Sequence, residues 1–153
     1  MKLYIFERVQ RLPIDIQTSW EFFSNPGNLN EITPPWLNLR MMSALPQEMY
    51  TGLLIPYKVH PVLGIPLKWV TEITHVEKPK IFVDEQRFGP YRFWQHRHLF
   101  NEIKGGIEII DIVSYALPFD PFSRAVNALM VKRKLEEIFR FRFEYLAEKF
   151  GRL

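Results

Sequence analysis

Residues 122–149 read FSRAVNALMVKRKLEEIFRFRFEYLAEK, a run that holds neither glycine nor proline. Ala128, Val131, Leu135, Ile138, Phe139 and Leu146 recur at helical spacing and form an apolar stripe. The other face carries Arg124, Lys132, Lys134, Glu136, Arg140 and Glu144, and the basic run Lys132-Arg133-Lys134 is answered at once by Glu136-Glu137. That is a solvated helix face rather than a nucleic-acid patch. The period predicts one long C-terminal helix, about 40 Å at ~1.5 Å per residue. A single apolar stripe needs a partner layer of similar length.

The chain ahead of the helix supplies that layer. From just after Trp36 to Ala116 it reads as strands at roughly 37–44, 52–60, 66–77, 81–88, 91–102 and 107–116. Pro46, Gly52, Pro61, Gly64, Pro66, Pro79, Gly89-Pro90 and Gly105-Gly106 punctuate the junctions and leave little room for helix. Short connections favour an antiparallel meander, because parallel neighbours need long crossovers. Upstream, residues 3 to 11 alternate, with Leu3, Ile5 and Val9 on one side and Lys2, Arg8 and Gln10 on the other. Pro13 ends that strand. Asp15 stands at an N-cap position ahead of Ile16, Trp20 and Phe23, and Asn25-Pro26-Gly27 stops the helix. A second short helix is predicted around Leu29 to Ile32, closed by Thr33-Pro34-Pro35. Residues 1–153 therefore read as one α+β domain. About seven antiparallel strands form a curved sheet wrapped around a long C-terminal helix, with two short helices after strand 1.

Composition limits the functions. The 153 residues are 47% apolar and 24% charged, ordinary for a globular domain, while 15% aromatic content supplies rings for a core or a pocket. No cysteine is present, which excludes disulfides, thiolate metal sites and a cysteine nucleophile, and fits a reducing cytoplasm. The opening MKLYIFERVQRL interrupts each apolar run with charge, so neither a signal peptide nor stable membrane insertion is expected. A net charge of +3 gives no reason to invoke nucleic acid. Phosphate-binding glycine loops and a Gly-x-Ser-x-Gly elbow are absent from the sequence.

Three stretches carry a resemblance. Pro13-Ile14-Asp15 through Trp20-Glu21-Phe22-Phe23-Ser24-Asn25-Pro26 looks like the start of the first helix of the START and pollen-allergen-like superfamily, called SRPBCC. Val83-Asp84-Glu85-Gln86 leading to Gly89-Pro90-Tyr91, Trp94, His96, His98 and Phe100 is similar to a bacterial ligand-binding branch of that superfamily. So is Gly105-Gly106 followed by Asp111, Val113, Tyr115 and Leu117-Pro118-Phe119. The branch usually has threonine after the two glycines and glycine after Pro-Phe, where this chain has Ile107 and Asp120. The resemblance covers essentially the whole chain. It implies a helix-grip fold and a cavity between the concave sheet face and the terminal helix, used in relatives for lipids, sterols, polyketides, quinones and aromatic hormones. Some relatives carry such molecules and others are cyclases or hydrolases, so the fold leaves the activity open.

The sharpest chemistry lies in Trp94-Gln95-His96-Arg97-His98-Leu99-Phe100. On a strand, Trp94, His96, His98 and Phe100 share one face. A turn centred on Lys104-Gly105 or on Gly105-Gly106 puts Asp111 and Tyr115 on the same face of the next strand, and the first option sets His98 opposite Asp111. A carboxylate beside an imidazole fixes its tautomer and suits acid–base work or a hydrogen bond to a ligand's polar head. Tyr91, Phe93 and Leu99 leave open which face is concave. Asp84 and Glu85, as neighbours on a strand, face opposite sides.

Gly89, His96-x-His98 and Glu102 mimic the first metal motif of cupins, but no histidine follows His98, and His60 and His75 lie upstream. A two-histidine, one-carboxylate site using another acid stays open; the expectation is no metal and no cofactor. Tyr57, Trp69, Arg97, Met130 and Phe139 join the pocket candidates by position, and residues 46–66 are expected to form a lip. The ligand-binding set is Tyr57, Trp69, Trp94, His96, His98, Asp111, Tyr115, Met130 and Phe139, for a small hydrophobic or aromatic molecule. An enzyme using His98 with Asp111 is the alternative, and a regulatory module with a protein partner or a homodimer is a third.

Overall fold

The computed structural model describes residues 1–61, 63–118 and 122–153. Seven strands form one sheet in the order β1-β7-β6-β5-β4-β3-β2: β1 (Tyr4–Leu12), β2 (Arg40–Met41), β3 (Leu54–Val59), β4 (Leu67–Glu77), β5 (Ile81–Phe88), β6 (Phe93–Ile103) and β7 (Gly106–Ala116). Every strand pair is antiparallel. After β1 comes α1 (Ile16–Phe23), where the Asp15 carboxylate accepts from the Thr18 N–H at 2.7 Å and caps the helix. Two 3-10 turns follow, Pro26–Asn30 and Pro35–Leu37, each opened by a proline whose missing N–H costs nothing there. The chain closes with α2 (Ser123–Val126), a π turn (Asn127–Val131) and α3 (Lys132–Phe150). The architecture is the α+β helix-grip arrangement that the element order predicts.

Four expectations need adjusting. The strand expected over 37–44 shrinks to two residues, because the second 3-10 turn occupies Pro35–Leu37 and the Asn38 after it adopts a left-handed φ of 46°. The predicted lip over 46–66 contains β3, so its middle, Leu54–Val59, is sheet. In β1 the inward side chains are Phe6 and Leu12, while Ile5 is 67% exposed. The alternation was right, but the aromatic parity faces the core and the aliphatic one faces out. The long helix is interrupted by the π turn, and Phe119, Asp120 and the side chains of Arg124 and Ala128 lie outside the described residues.

Three groups of buried side chains frame the interior. Trp20 of α1 sits fully buried against Phe82 and Phe100, joined by Leu12, Ile107 and Leu146. Burying a side chain of this size contributes roughly 2–3 kcal/mol. Phe6, Val113, Tyr115, Leu135 and Phe139 pack where α3 crosses β1 and β7. Leu37, Val59 and Trp69 close the far side under the second 3-10 turn. The space between these groups is the site.

Candidate functional site

Between the concave sheet face, α3 and the 3-10 turns lies a cavity of about 240 Å³. Its wall is mostly ring and aliphatic surface, including Tyr57, Trp69, Tyr91, Trp94, Leu135 and Phe139. The rings lock one another: Trp94 meets Trp69 edge-on at 5.3 Å and Tyr91 at 4.7 Å, while Tyr57 stacks on Trp69 at 6.0 Å. A wall held by such contacts is largely pre-formed. Burial raises the phenol pKa of both Tyr57 and Tyr91, so both stay neutral, and the Tyr57 hydroxyl shares a 3.2 Å hydrogen bond with Thr71.

The motif around Gln86 explains how Tyr91 is held. The Gln86 amide donates to the Tyr91 carbonyl at 2.7 Å and accepts from the Tyr91 N–H at 3.1 Å, pinning the β5–β6 connection. A Cβ at position 89 would come within 2.4 Å of the Gln86 side-chain oxygen, so an alanine there would displace the Gln86 amide from the Tyr91 backbone.

One patch of the wall is strongly polar. Strand periodicity turns His96 and His98 inward, which settles the concave face in favour of Trp94, His96, His98 and Phe100. Arg97 falls on the other parity, opposite Val83 and Ile112, and does not line the cavity. The β6–β7 turn is Lys104-Gly105, with Gly105 at φ 86°, and the register sets His98 opposite Asp111. On the other flank Asp84 of β5 pairs opposite His96, and Glu85 points away to accept from Gln95. Two imidazoles are thus clamped between two carboxylates, their rings 3.7 Å apart.

The contacts form a ring. His96 Nε2 lies 2.8 Å from Asp111 Oδ1, and His98 Nε2 lies 2.9 Å from Asp84 Oδ2. His98 Nδ1 stands 2.9 Å from Asp111 Oδ1, close enough for charge attraction but off line for a hydrogen bond. His96 Nδ1 is 3.8 Å from Asp84 Oδ2. Arg142 of α3 is 7% exposed, brings Nη1 to 3.7 Å from Asp111 Oδ1 and lays its guanidinium over Phe139; Nε and Nη1 find no hydrogen-bond partner. Burial and the neighbouring His98 lower the His96 pKa against the pull of Asp111. For His98 burial acts in the same direction, but Asp111 and Asp84 on its two sides outweigh it and raise the pKa. Burial would raise the Asp111 carboxyl, yet the two histidines hold it well below the usual carboxylate range.

Of the candidates from sequence, Tyr57, Trp69, Trp94, His96, His98 and Phe139 line the cavity together. Asp111 sits behind the histidines, and Tyr115 is buried beside the wall, stacked on Tyr4 at 5.4 Å. Met130, 40% exposed, is not part of the wall; the packed side of this helix runs through Val131, Leu135 and Phe139. Asp84 and Arg142 were not anticipated. Position 142 continues the stripe Leu135, Phe139, Leu146, so a charge on the apolar face was the available signal.

No family model matches the chain, and no curated protein matches it. Solved structures do. Protein Ms6760 from Mycobacterium smegmatis is 14% identical with a TM-score of 0.66, covering 97% of this chain and 98% of that one. Ara h 8.0201 is 13% identical with a TM-score of 0.64, covering 96% and 99%. CV1439 from Chromobacterium violaceum is 9% identical with a TM-score of 0.72, covering 96% and 97%. At these identities the likeness is one of fold, the helix-grip arrangement of an antiparallel sheet around a long terminal helix. Among the described residues, no helix is long and apolar enough to cross a membrane.

Proposed function

We propose that the protein binds a small amphipathic molecule, with an apolar or aromatic body in the ring-lined cavity and a polar head against the histidine–aspartate patch. The observation that carries this reading is the wall itself: a largely apolar, ring-locked cavity with Asp84, His96 and His98 gathered in one polar patch. Such a combination orients a ligand as well as burying it. The class fits lipid-like, polyketide-like or quinone-like molecules, and the absence of cysteine fits a reducing compartment such as the cytoplasm. Native mass spectrometry of freshly purified protein, together with displacement of an environment-sensitive hydrophobic dye, tests it. The expected result is one saturable site that quenches or shifts the fluorescence of Trp69 and Trp94. Dye binding that never saturates, or that is unchanged in Trp94→Ala, would sink the idea.

A second reading rests on the same patch. His98, flanked by carboxylates on both ring nitrogens, has the surroundings of a group that holds a proton and releases it to a bound molecule. In that case His98→Ala leaves the fold intact and abolishes turnover of the identified ligand.

A further inference from the structure

We propose that Asp84, His96 and His98 form a mononuclear site for a divalent transition-metal ion, with Asp111 behind it orienting both imidazoles. This departs from the expectation of no metal and stands independently of the ligand-binding reading.

Strand register does the assembling. β6 sends His96 and His98 to one face two residues apart, β5 brings Asp84 opposite His96, and β7 brings Asp111 opposite His98. Each ring therefore offers one nitrogen to each flank. Asp111 Oδ1 takes His96 Nε2 at 2.8 Å and stands 2.9 Å from His98 Nδ1. The other two nitrogens, His96 Nδ1 and His98 Nε2, turn towards Asp84 Oδ2 at 3.8 Å and 2.9 Å. Taking one donor atom from each of Asp84, His96 and His98, all three lie within 4.8 Å of one another. Small side-chain rotations close such a set around one ion at bonds of about 2.0–2.2 Å.

The layering is that of a metal site. Asp84, His96 and His98 line the cavity, whereas Asp111 does not. A ligating histidine characteristically gives its second nitrogen to a carboxylate, which fixes the tautomer and the ring orientation. Here Asp111 takes that hydrogen bond from His96 and stands 2.9 Å from His98 Nδ1. With Nε2 of His96 committed to Asp111, its Nδ1 faces Asp84 Oδ2 across 3.8 Å, longer than a hydrogen bond. The cupin-like third ligand, Glu102, is exposed near the end of β6, and a neighbouring strand supplies Asp84 in its place.

Charge and ligand type define the ion. Asp84 and Asp111 against Arg142 leave one formal negative charge in the buried patch, which a divalent cation turns to one positive. Two imidazole nitrogens and one carboxylate oxygen favour zinc, cobalt or ferrous iron over magnesium and calcium. Three protein ligands leave coordination positions open, and these face the cavity, where an oxygen of a bound molecule or water completes the set.

The test uses protein stripped with chelator, then titrated with Co²⁺ and with Zn²⁺. One equivalent of each should bind per chain, with visible d–d absorption for Co²⁺ and no competition from excess Mg²⁺. His96→Ala and Asp84→Asn should abolish the stoichiometric site, Asp111→Asn should weaken it by about 10–100-fold, and His60→Ala and His75→Ala should leave it unchanged. Circular dichroism checks that each variant is folded; Asp84→Asn, nearly isosteric, keeps the test open if His96→Ala does not fold. Sub-stoichiometric binding, or stoichiometric binding that survives Asp84→Asn or depends on His60 or His75, overturns the proposal. Dye binding to the stripped protein is measured alongside, so that a missing metal site and a missing ligand site give different results.

Discussion

At the scale of single residues, the chain shows how a few side chains fix the geometry of many. Gly89 and Gln86 act as one device, because the Gln86 amide can grip the Tyr91 backbone only if nothing projects from position 89. Gly89→Ala should therefore lose both hydrogen bonds and cost about 1–3 kcal/mol in urea unfolding. Gln86→Ala should cost a similar amount, and the double variant hardly more than either single one. Additive losses would show that the two act separately. That His98 and Asp111 face the same side was legible from sequence, and the turn at Lys104-Gly105 rather than Gly105-Gly106 sets them opposite one another. Asp84 beside His96 was not, since the β5–β6 connection through Gly89 to Arg92 is longer and gives no unique register. Arg142 was missed for a different reason: helical periodicity counts apolar positions and passes over a charge standing among them.

At the scale of elements, α1 and α3 rest on different forces. α1 is short and depends on its cap. The Thr18 backbone N–H and hydroxyl both donate to Asp15 and lower its pKa from the ordinary 3.8. The sign follows: the stabilisation is fully present above 3.8 and is lost as pH falls through the lower folded value. The difference in melting temperature between the native chain and Asp15→Asn should be flat at neutral pH and should narrow in acid. α3 is held by packing. Phe139 touches Phe6 at 5.1 Å and His96 at 5.7 Å and supports the Arg142 guanidinium. Phe139→Ala should cost about 3–5 kcal/mol and enlarge the cavity, so bulkier hydrophobic dyes should bind the variant better than the native chain. The helix was readable from its stripe, but the π turn at Asn127–Val131 was not, because no proline or glycine marks it.

At the scale of the molecule, the element order and the antiparallel meander were readable because glycine and proline stand at nearly every junction. The size of β2 was not, since its two residues are limited by the left-handed Asn38 rather than by any apolar pattern. The sheet should also be uneven in its stability. β6 and β7 form the longest ladder, from Phe93↔Ala116 to Ile103↔Gly106, while β2 meets β3 at only Arg40↔Lys58 and Met41↔Tyr57. Hydrogen exchange followed by mass spectrometry should find the slowest amides in β6 and β7 and fast exchange at β2; uniform protection across the sheet would contradict this. The pairing of β1 with β7, Tyr4↔Tyr115 through Leu12↔Ile107, also bears on synthesis. A ribosome delivers the first strand long before its only ladder partner. Until β7 emerges, β1 has no neighbour to bond, and Phe6 and Leu12 must wait in water or on a chaperone. The sheet can close at that edge only after β7 has left the tunnel, so the pairing of its first strand waits on its last.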